Sequence, residues 1–202
     1  MAVQKTMDEK LEWTYYLARP FNLFEASIWH EWYNSEAFYE IFSMKWPNGL
    51  FVENPKGMCR QYREKKVLEN FFAKMRSIAN SPDELDALLT QGLDLNSQAE
   101  KALRKNPFSD VKSAVDFSAK LLHYAATVPY FVGEIHNTEK VRQLRAVSYY
   151  PKILKEVVIP LALKQLFQLG VQSKEALDVI THHELLNGDV SRVSERLAQA
   201  AQ

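Results

Sequence analysis

The apolar residues of positions 111–135 recur every three or four residues, which is the period of one face of an α-helix. Residues 141–161 keep the same period. Three prolines, Pro129, Pro151 and Pro160, lie inside these two stretches. Because an interior proline removes a backbone donor and clashes with the preceding turn, we predict bent or broken helices there.

The length of 202 residues suits one domain. We predict a single, mainly α-helical domain over residues 1–202, with aromatic N-terminal helices in residues 11–42 and a helical bundle in residues 65–198. Between them, Pro47-Asn48-Gly49 is a strong turn signal flanked by short apolar runs. We therefore predict a small β-hairpin inserted near residues 41–63.

Local signals predict several helix ends. Ser81 followed by Glu84 is typical of an N-terminal capping box, and so is Thr181 followed by Glu184. Gly92 predicts the end of the helix that begins after Ser81, with a separate short helix following it.

The charge balance argues against two classes of partner. Lys and Arg together number 25, and so do Asp and Glu, so the formal net charge is zero. Because nucleic-acid binders carry a basic excess or stripe, we expect no nucleic-acid partner. The longest aliphatic run, residues 157–163, is far shorter than the roughly 20 apolar residues that cross a bilayer, so we expect no membrane partner.

The cysteine count and the first residues predict a cytoplasmic protein. Cys59 is the only cysteine, which excludes an intrachain disulfide and fits a reducing compartment. Residues 1–10 lack the apolar core of a signal peptide.

No complete catalytic motif is written in the sequence. The five histidines occur in neither HExxH nor ExxH spacing, and the chain contains no GxSxG, GxxxxGK[ST] or GxGxxG. His182 and His183 are adjacent, so on a helix they point about 100° apart and do not readily share one metal. We expect no catalytic residue, no metal site and no cofactor.

Aromatic residues concentrate near the N-terminus, where all four tryptophans lie between residues 13 and 46. One interpretation is an exposed groove for a planar ligand or a protein partner, lined by Trp29, Trp32 and Trp46. The other is a core in which the first helices pack on the hairpin, and the helical spacing favours it. A core whose rim offers an exposed patch would combine the two.

A second polar group surrounds the break at Pro151. Arg145 and Tyr149 are four residues apart and would meet on one helical face, with Arg142 nearby. Arginine and tyrosine side chains suit an anion or substrate contact. Equally, Arg145 would pair with Glu134 or Glu139 across a helix hairpin.

Three short stretches resemble the helical middle region of phosphoenolpyruvate-utilising enzymes, the group of phosphoenolpyruvate synthase, pyruvate phosphate dikinase and rifampicin phosphotransferase. They are residues 19–29 (Arg-Pro-Phe-Asn-Leu-Phe-Glu-Ala-Ser-Ile-Trp), 144–151 (Leu-Arg-Ala-Val-Ser-Tyr-Tyr-Pro) and 180–186 (Ile-Thr-His-His-Glu-Leu-Leu). In that family an ATP-grasp domain and a swivelling phosphohistidine domain carry out the chemistry.

The resemblance implies a helical linker or docking module of such a phosphotransferase. No histidine of this chain has a glycine beside it, as the family's phosphohistidine loop would require, and there is no room for an ATP-grasp domain. The resemblance thus implies partner domains, supplied in cis or in trans. An excised domain, a free-standing subunit and a diverged scaffold all fit it. The alternative to this function is a stand-alone binding or protein-interaction module that uses the aromatic zone of residues 13–46.

Overall fold

The computed structural model describes residues 13–19, 22–46, 49–53 and 59–200. The predicted mainly α class is confirmed. The α-helices are, in chain order, α1 (Leu23–Trp32), α2 (Glu36–Phe42), α3 (Lys65–Ala79), α4 (Pro82–Arg104), α5 (Val111–Leu122), α6 (Val128–Val132), α7 (Glu139–Ala146), α8 (Tyr150–Ile153), α9 (Ile159–Gln168), α10 (His182–Leu186) and α11 (Val193–Ala200). A 3₁₀ turn, Lys174–Asp178, precedes α10.

Three strands form a small antiparallel sheet in the order β1-β3-β2, where β1 is Trp13–Arg19, β2 is Gly49–Glu53 and β3 is Cys59–Glu64. The central strand β3 pairs Glu64 with Trp13 of β1 and Arg63 with Gly49 of β2. A register shift falls between Tyr15 and Leu17. Residues 54–58, which join β2 to β3, lie outside the described part of the chain.

The sheet corrects two predictions at the N-terminal end. Residues 13–19, predicted as helix, form β1, whose aromatic and threonine residues suit a strand. Residues 41–46, predicted as an arm of the hairpin, include instead the end of α2. That helix stops at Ser43, which adopts a left-handed conformation with φ of 53°. Within the predicted hairpin region β2 and β3 pair antiparallel, and the distant strand β1 adds a third strand beside β3.

Helix α4 runs without interruption through Gly92, so the predicted end at this glycine is wrong. A Cβ atom built on Gly92 would lie 2.7 Å from the carbonyl oxygen of Tyr124 and 3.3 Å from Cδ1 of Leu144. The glycine therefore lets a neighbouring backbone approach closely, and it does not terminate the helix.

Two π-helical turns carry the chain past prolines that were predicted to break helices. His123–Thr127 joins α5 to α6, and Leu154–Val158 joins α8 to α9. In each, the residue before the proline donates to a carbonyl five positions back: Val128 to His123, and Ile159 to Leu154. The extra residue of a π turn makes room for a proline ring within a continuing helix. Pro151 instead lies in the first turn of α8, where its missing N–H costs nothing.

Side-chain caps fix several helix starts. Thr181 and Glu184 form the predicted capping box of α10. The box predicted at Ser81 does not form: Ser81 makes no side-chain cap bond, and Glu84 pairs with Lys74 at 3.0 Å. Helix α1 also begins with a capping box, formed by Asn22 and Glu25, which was not predicted.

The core lies where α1 and α2 pack on α3 and on the π turn after α5. Its largest fully buried side chains are Trp32, Trp46, Phe24, Phe38, Phe42 and Phe71. Some rings meet there edge to face, as do Tyr33 and Trp46, whose centroids are 4.9 Å apart, and others stack, as do Phe38 and Phe71. None of the helices in the described ranges is long and apolar enough to cross a bilayer.

Candidate functional site

Helix α1 is the meeting point of segments that are far apart in sequence. At its first half, Ser27 Oγ accepts a hydrogen bond from the backbone N–H of His182 at 2.7 Å. The ring of Phe24 lies 6.2 Å from the His182 ring in an edge-on arrangement. These contacts hold the N-terminal end of α10 against α1.

The second half of α1 holds the start of α8. The ring of Tyr150 meets Trp32 at 5.8 Å and Trp29 at 6.2 Å, both edge to face. Trp32 also donates from its indole Nε1 to Ser118 Oγ of α5 at 2.9 Å. One helix thus fixes the relative positions of α5, α8 and α10.

The three tryptophans proposed as a groove are core residues. Their exposed fractions are 4% for Trp29 and 0% for both Trp32 and Trp46. A residue without exposed surface cannot line an open groove, so the structure contradicts the groove and agrees with the core interpretation. The sequence had indicated this through the helical spacing of Trp29 and Trp32.

His123 lies at the centre of this core, within the first π turn. Its Nε2–H donates to the carbonyl oxygen of Trp32 at 2.7 Å, which fixes the tautomer of a neutral ring. The rings of Phe38 and Tyr33 contact it at 5.1 and 5.6 Å. Burial lowers the pKa of His123 to about 4, an effect that the hydrogen bond to Trp32 partly opposes. The residue is therefore a neutral structural group without access to solvent.

His182 is the second buried histidine, with 5% of its surface exposed. Burial lowers its pKa to about 4. It occupies the first turn of α10, as its place after the capping threonine predicted. Among the side chains that the structure describes, no three His, Cys, Asp or Glu residues come together as metal ligands.

Arg142 and Arg145, proposed with Tyr149 as an anion contact, have different environments. Arg142 is exposed and pairs with Glu139 at 2.8 Å, while its second nitrogen donates to the carbonyl of Asn137. Among the described residues no glutamate pairs with Arg145, whose guanidinium lies 6.0 Å from the ring centroid of Tyr130.

Tyr149 is not on the same helical face as Arg145, so that part of the prediction is wrong. Helix α7 ends at Ala146, and Val147 is extended with φ of −137° and ψ of 124°. Tyr149 lies outside the helix, and the ammonium nitrogen of Lys152 lies 5.5 Å from the centroid of its ring. Lys152 and Tyr130 were not predicted as contact residues, although Lys152 is only three residues from Tyr149 in the sequence.

A surface groove of about 340 Å³ lies between the C-terminal end of α3 and the N-terminal ends of α4 and α7. Its rim is tied to neighbouring helices. His136 Nε2–H donates to the carbonyl of Ala79 at 2.6 Å, and Lys140 pairs with Asp86 at 2.6 Å. These bonds make the groove part of the α3–α4–α7 packing.

The chain matches no protein-family model, no curated protein and no solved structure. Its function has to be argued from the contacts described above.

Proposed function

We propose that the chain is a non-catalytic helical docking module of a phosphoenolpyruvate-utilising-type phosphotransferase. In this proposal its ATP-grasp and phosphohistidine domains are supplied in cis or in trans. The observation that supports it is the convergence of the three family-like stretches on α1.

The convergence has physical content because the stretches are remote in sequence. Residues 144–151 contribute Tyr150, which packs on Trp29 and Trp32. Residues 180–186 contribute His182, whose backbone N–H is bound by Ser27. The first stretch contains most of α1 itself, and the other two stretches pack on it. A shared structural unit would place them together.

The contacts around α1 also suit the mechanical part of the proposal. A module that spaces a mobile domain has to keep its own surfaces in fixed positions. Close-packed interiors resist deformation. The hydrogen bonds from Trp32 to Ser118 and from His182 to Ser27 add directional links across this interior.

The alternative function, a binding module with an aromatic groove, lacks an open site at the residues proposed for it. Trp29, Trp32 and Trp46 are enclosed, so a partner would have to bind elsewhere on the surface. This favours docking through other faces.

Phosphoryl transfer with family-type domains tests the proposal. In the first arm, the purified chain is mixed with separate ATP-grasp and phosphohistidine domains, and binding is measured together with transfer of labelled γ-phosphate from ATP to the histidine. In the second, the chain replaces the helical region of a phosphoenolpyruvate synthase in one polypeptide. We expect the chain to bind a domain and to raise the transfer rate in at least one arm.

The Trp32→Ala variant provides a comparison within each arm. It removes the side chain that joins α1 to α5 and α8. Circular dichroism monitors its remaining helix content. We expect it to support less transfer than the natural chain. Absence of both binding and transfer in the two arms would contradict the proposal.

A further inference from the structure

The segment from residue 140 to residue 155 is a local run of positively charged residues. It contains five cationic residues and no aspartate or glutamate, namely Lys140, Arg142, Arg145, Lys152 and Lys155. The whole chain has equal numbers of acidic and basic residues, so this run is a local departure from neutrality.

Some of these cations are matched by carboxylates from the fold. Lys140 pairs with Asp86, and Arg142 pairs with Glu139. Burial raises the pKa of the Glu25 carboxyl, and the nearby positive charge of Lys155 partly opposes that rise. Within the described ranges, Arg145 and Lys152 make no ion pair, and each lies over a tyrosine ring.

Arg145 belongs to an exposed arrangement. The Tyr130 ring beneath it is 61% exposed. A Cβ atom built on Gly133 would lie 2.5 Å from Nη1 of Arg145, so the missing side chain of the glycine leaves room for the guanidinium to lie against the backbone. Arginine and tyrosine that are held in place on a surface are typical centres of protein interfaces.

Lys152 and Tyr149 form a second cation–ring pair, which follows Arg145 closely in the chain. Residues 145–148, which lead from Arg145 towards Tyr149, are all exposed, and Val147 among them is apolar. Since consecutive Cα atoms are about 3.8 Å apart, the Cα atoms of Arg145 and Tyr149 lie within about 15 Å of each other. We call Tyr130, Arg145, Val147, Tyr149 and Lys152 the basic tyrosine face.

We propose that the basic tyrosine face docks the phosphohistidine domain of the partner in its phosphorylated form. This inference rests on the proposed function and adds the site of contact and its dependence on phosphorylation. The guanidinium of Arg145 offers the paired donors that a phosphoryl group accepts, and Lys152 adds a second positive charge. The tyrosine rings and Val147 supply the apolar contact around the charge.

Binding of the purified phosphohistidine domain tests the inference. Its dissociation constant is measured in phosphorylated and unphosphorylated form against four chains: the natural one, Arg145→Gln, Lys152→Gln and the control Arg104→Gln. Arg104 is exposed and lies at the end of α4, so the control loses the same charge outside the basic tyrosine face. Thermal melting of each variant verifies that it is folded.

We expect the natural chain to prefer the phosphorylated domain. Arg145→Gln should weaken that binding by on the order of tenfold, as for a central interface arginine. Lys152→Gln should weaken it less, Arg104→Gln should leave it unchanged, and added salt should reduce the preference. Equal binding by the natural chain and Arg145→Gln would overturn the inference while leaving the proposed function standing. No binding of either form by the natural chain would also overturn the inference, and the transfer assay with both partner domains would then decide the proposed function.

Discussion

His123 donates from Nε2 to the carbonyl oxygen of Trp32 across 2.7 Å, and so ties the π turn after α5 to the last residue of α1. The last carbonyls of a helix have no partner within the helix. Here the carbonyl oxygen of Trp32 accepts from this histidine and also from the hydroxyl of Ser35. This hydrogen bond thus anchors the C-terminal end of α1, the helix that contacts α5, α8 and α10.

Because of this buried histidine, the protein should become less stable as the pH falls. Burial lowers the pKa of His123 from 6.5 to about 4. Between these values the unfolded chain binds a proton that the folded chain does not, so the free energy of unfolding decreases as pH falls from 6.5 towards 4. The loss reaches at most about 1.4 kcal/mol per pH unit for one such group. His182, also lowered to about 4 by burial, adds to it in the same direction.

Urea unfolding at several pH values between 7.5 and 4.5 measures this slope. His123→Gln and His182→Gln should each make it shallower, and the double variant more so, whatever their effect on stability at pH 7.5. Parallel curves for the natural chain and both single variants would contradict the assignment of the slope to these histidines.

Gly92→Ala should destabilise the protein even though alanine is the better helix former by about 1 kcal/mol. The new methyl group would lie 2.7 Å from the carbonyl oxygen of Tyr124, a backbone atom that cannot rotate away. We expect a net loss of roughly 1–3 kcal/mol, as for other overpacked sites. Ser97→Ala, at an exposed position of the same helix, is the control and should be neutral or slightly stabilising.

Gly92 also illustrates why part of the fold could not be predicted from sequence. A glycine in a helical pattern is typical of a helix end when only its neighbours in sequence are known. Its actual role depends on the backbone of Tyr124, 32 residues later, which no local signal reports. The starts of α5, α7 and α10 at Asp110, Thr138 and Thr181 were predictable because a cap and its partner lie within three residues.

The candidate site, like the fold, could be predicted only in part. Arg145 was recognised because it lies four residues before Tyr149, close to Pro151. Its partner Tyr130 belongs to another helix, so their contact depends on how α6 packs against α7. Tyr149 was assigned to the same helical face as Arg145 because four-residue spacing was read as helix. The chain had already left α7 at Val147, which is extended, so the four-residue spacing did not correspond to one helical face.

Tryptophan fluorescence should report the enclosed core. Because the side chain of Trp13 is not among those described, the experiment uses a Trp13→Phe background. In it, the emission of Trp29, Trp32 and Trp46 should lie at short wavelength and resist quenching by acrylamide until the chain unfolds. Strong quenching in the folded state would show that at least one indole is accessible and would restore the groove as a hypothesis.

Ser27→Ala should loosen the docking of α10 on α1. The hydroxyl of Ser27 accepts the N–H of His182 and donates to the carbonyl of Phe24, both at 2.7 Å. Alanine would leave the His182 N–H without this acceptor, at a cost of about 1–3 kcal/mol if water does not replace it. The amide of His182 should then exchange with deuterium faster than in the natural chain.

The exchange pattern distinguishes a local effect from a global one. The capping box of α10 is formed by Thr181 and Glu184, and Arg196 holds Glu184 at 2.8 Å, so this helix has support that does not involve Ser27. We therefore expect protection to fall at His182 and in the neighbouring turn while amides of α4 keep theirs. Ser97→Ala again provides the matched control. Unchanged exchange at His182 would mean that the hydroxyl contributes nothing to this junction, and the packing of Phe24 on His182 would then be what holds the two helices together.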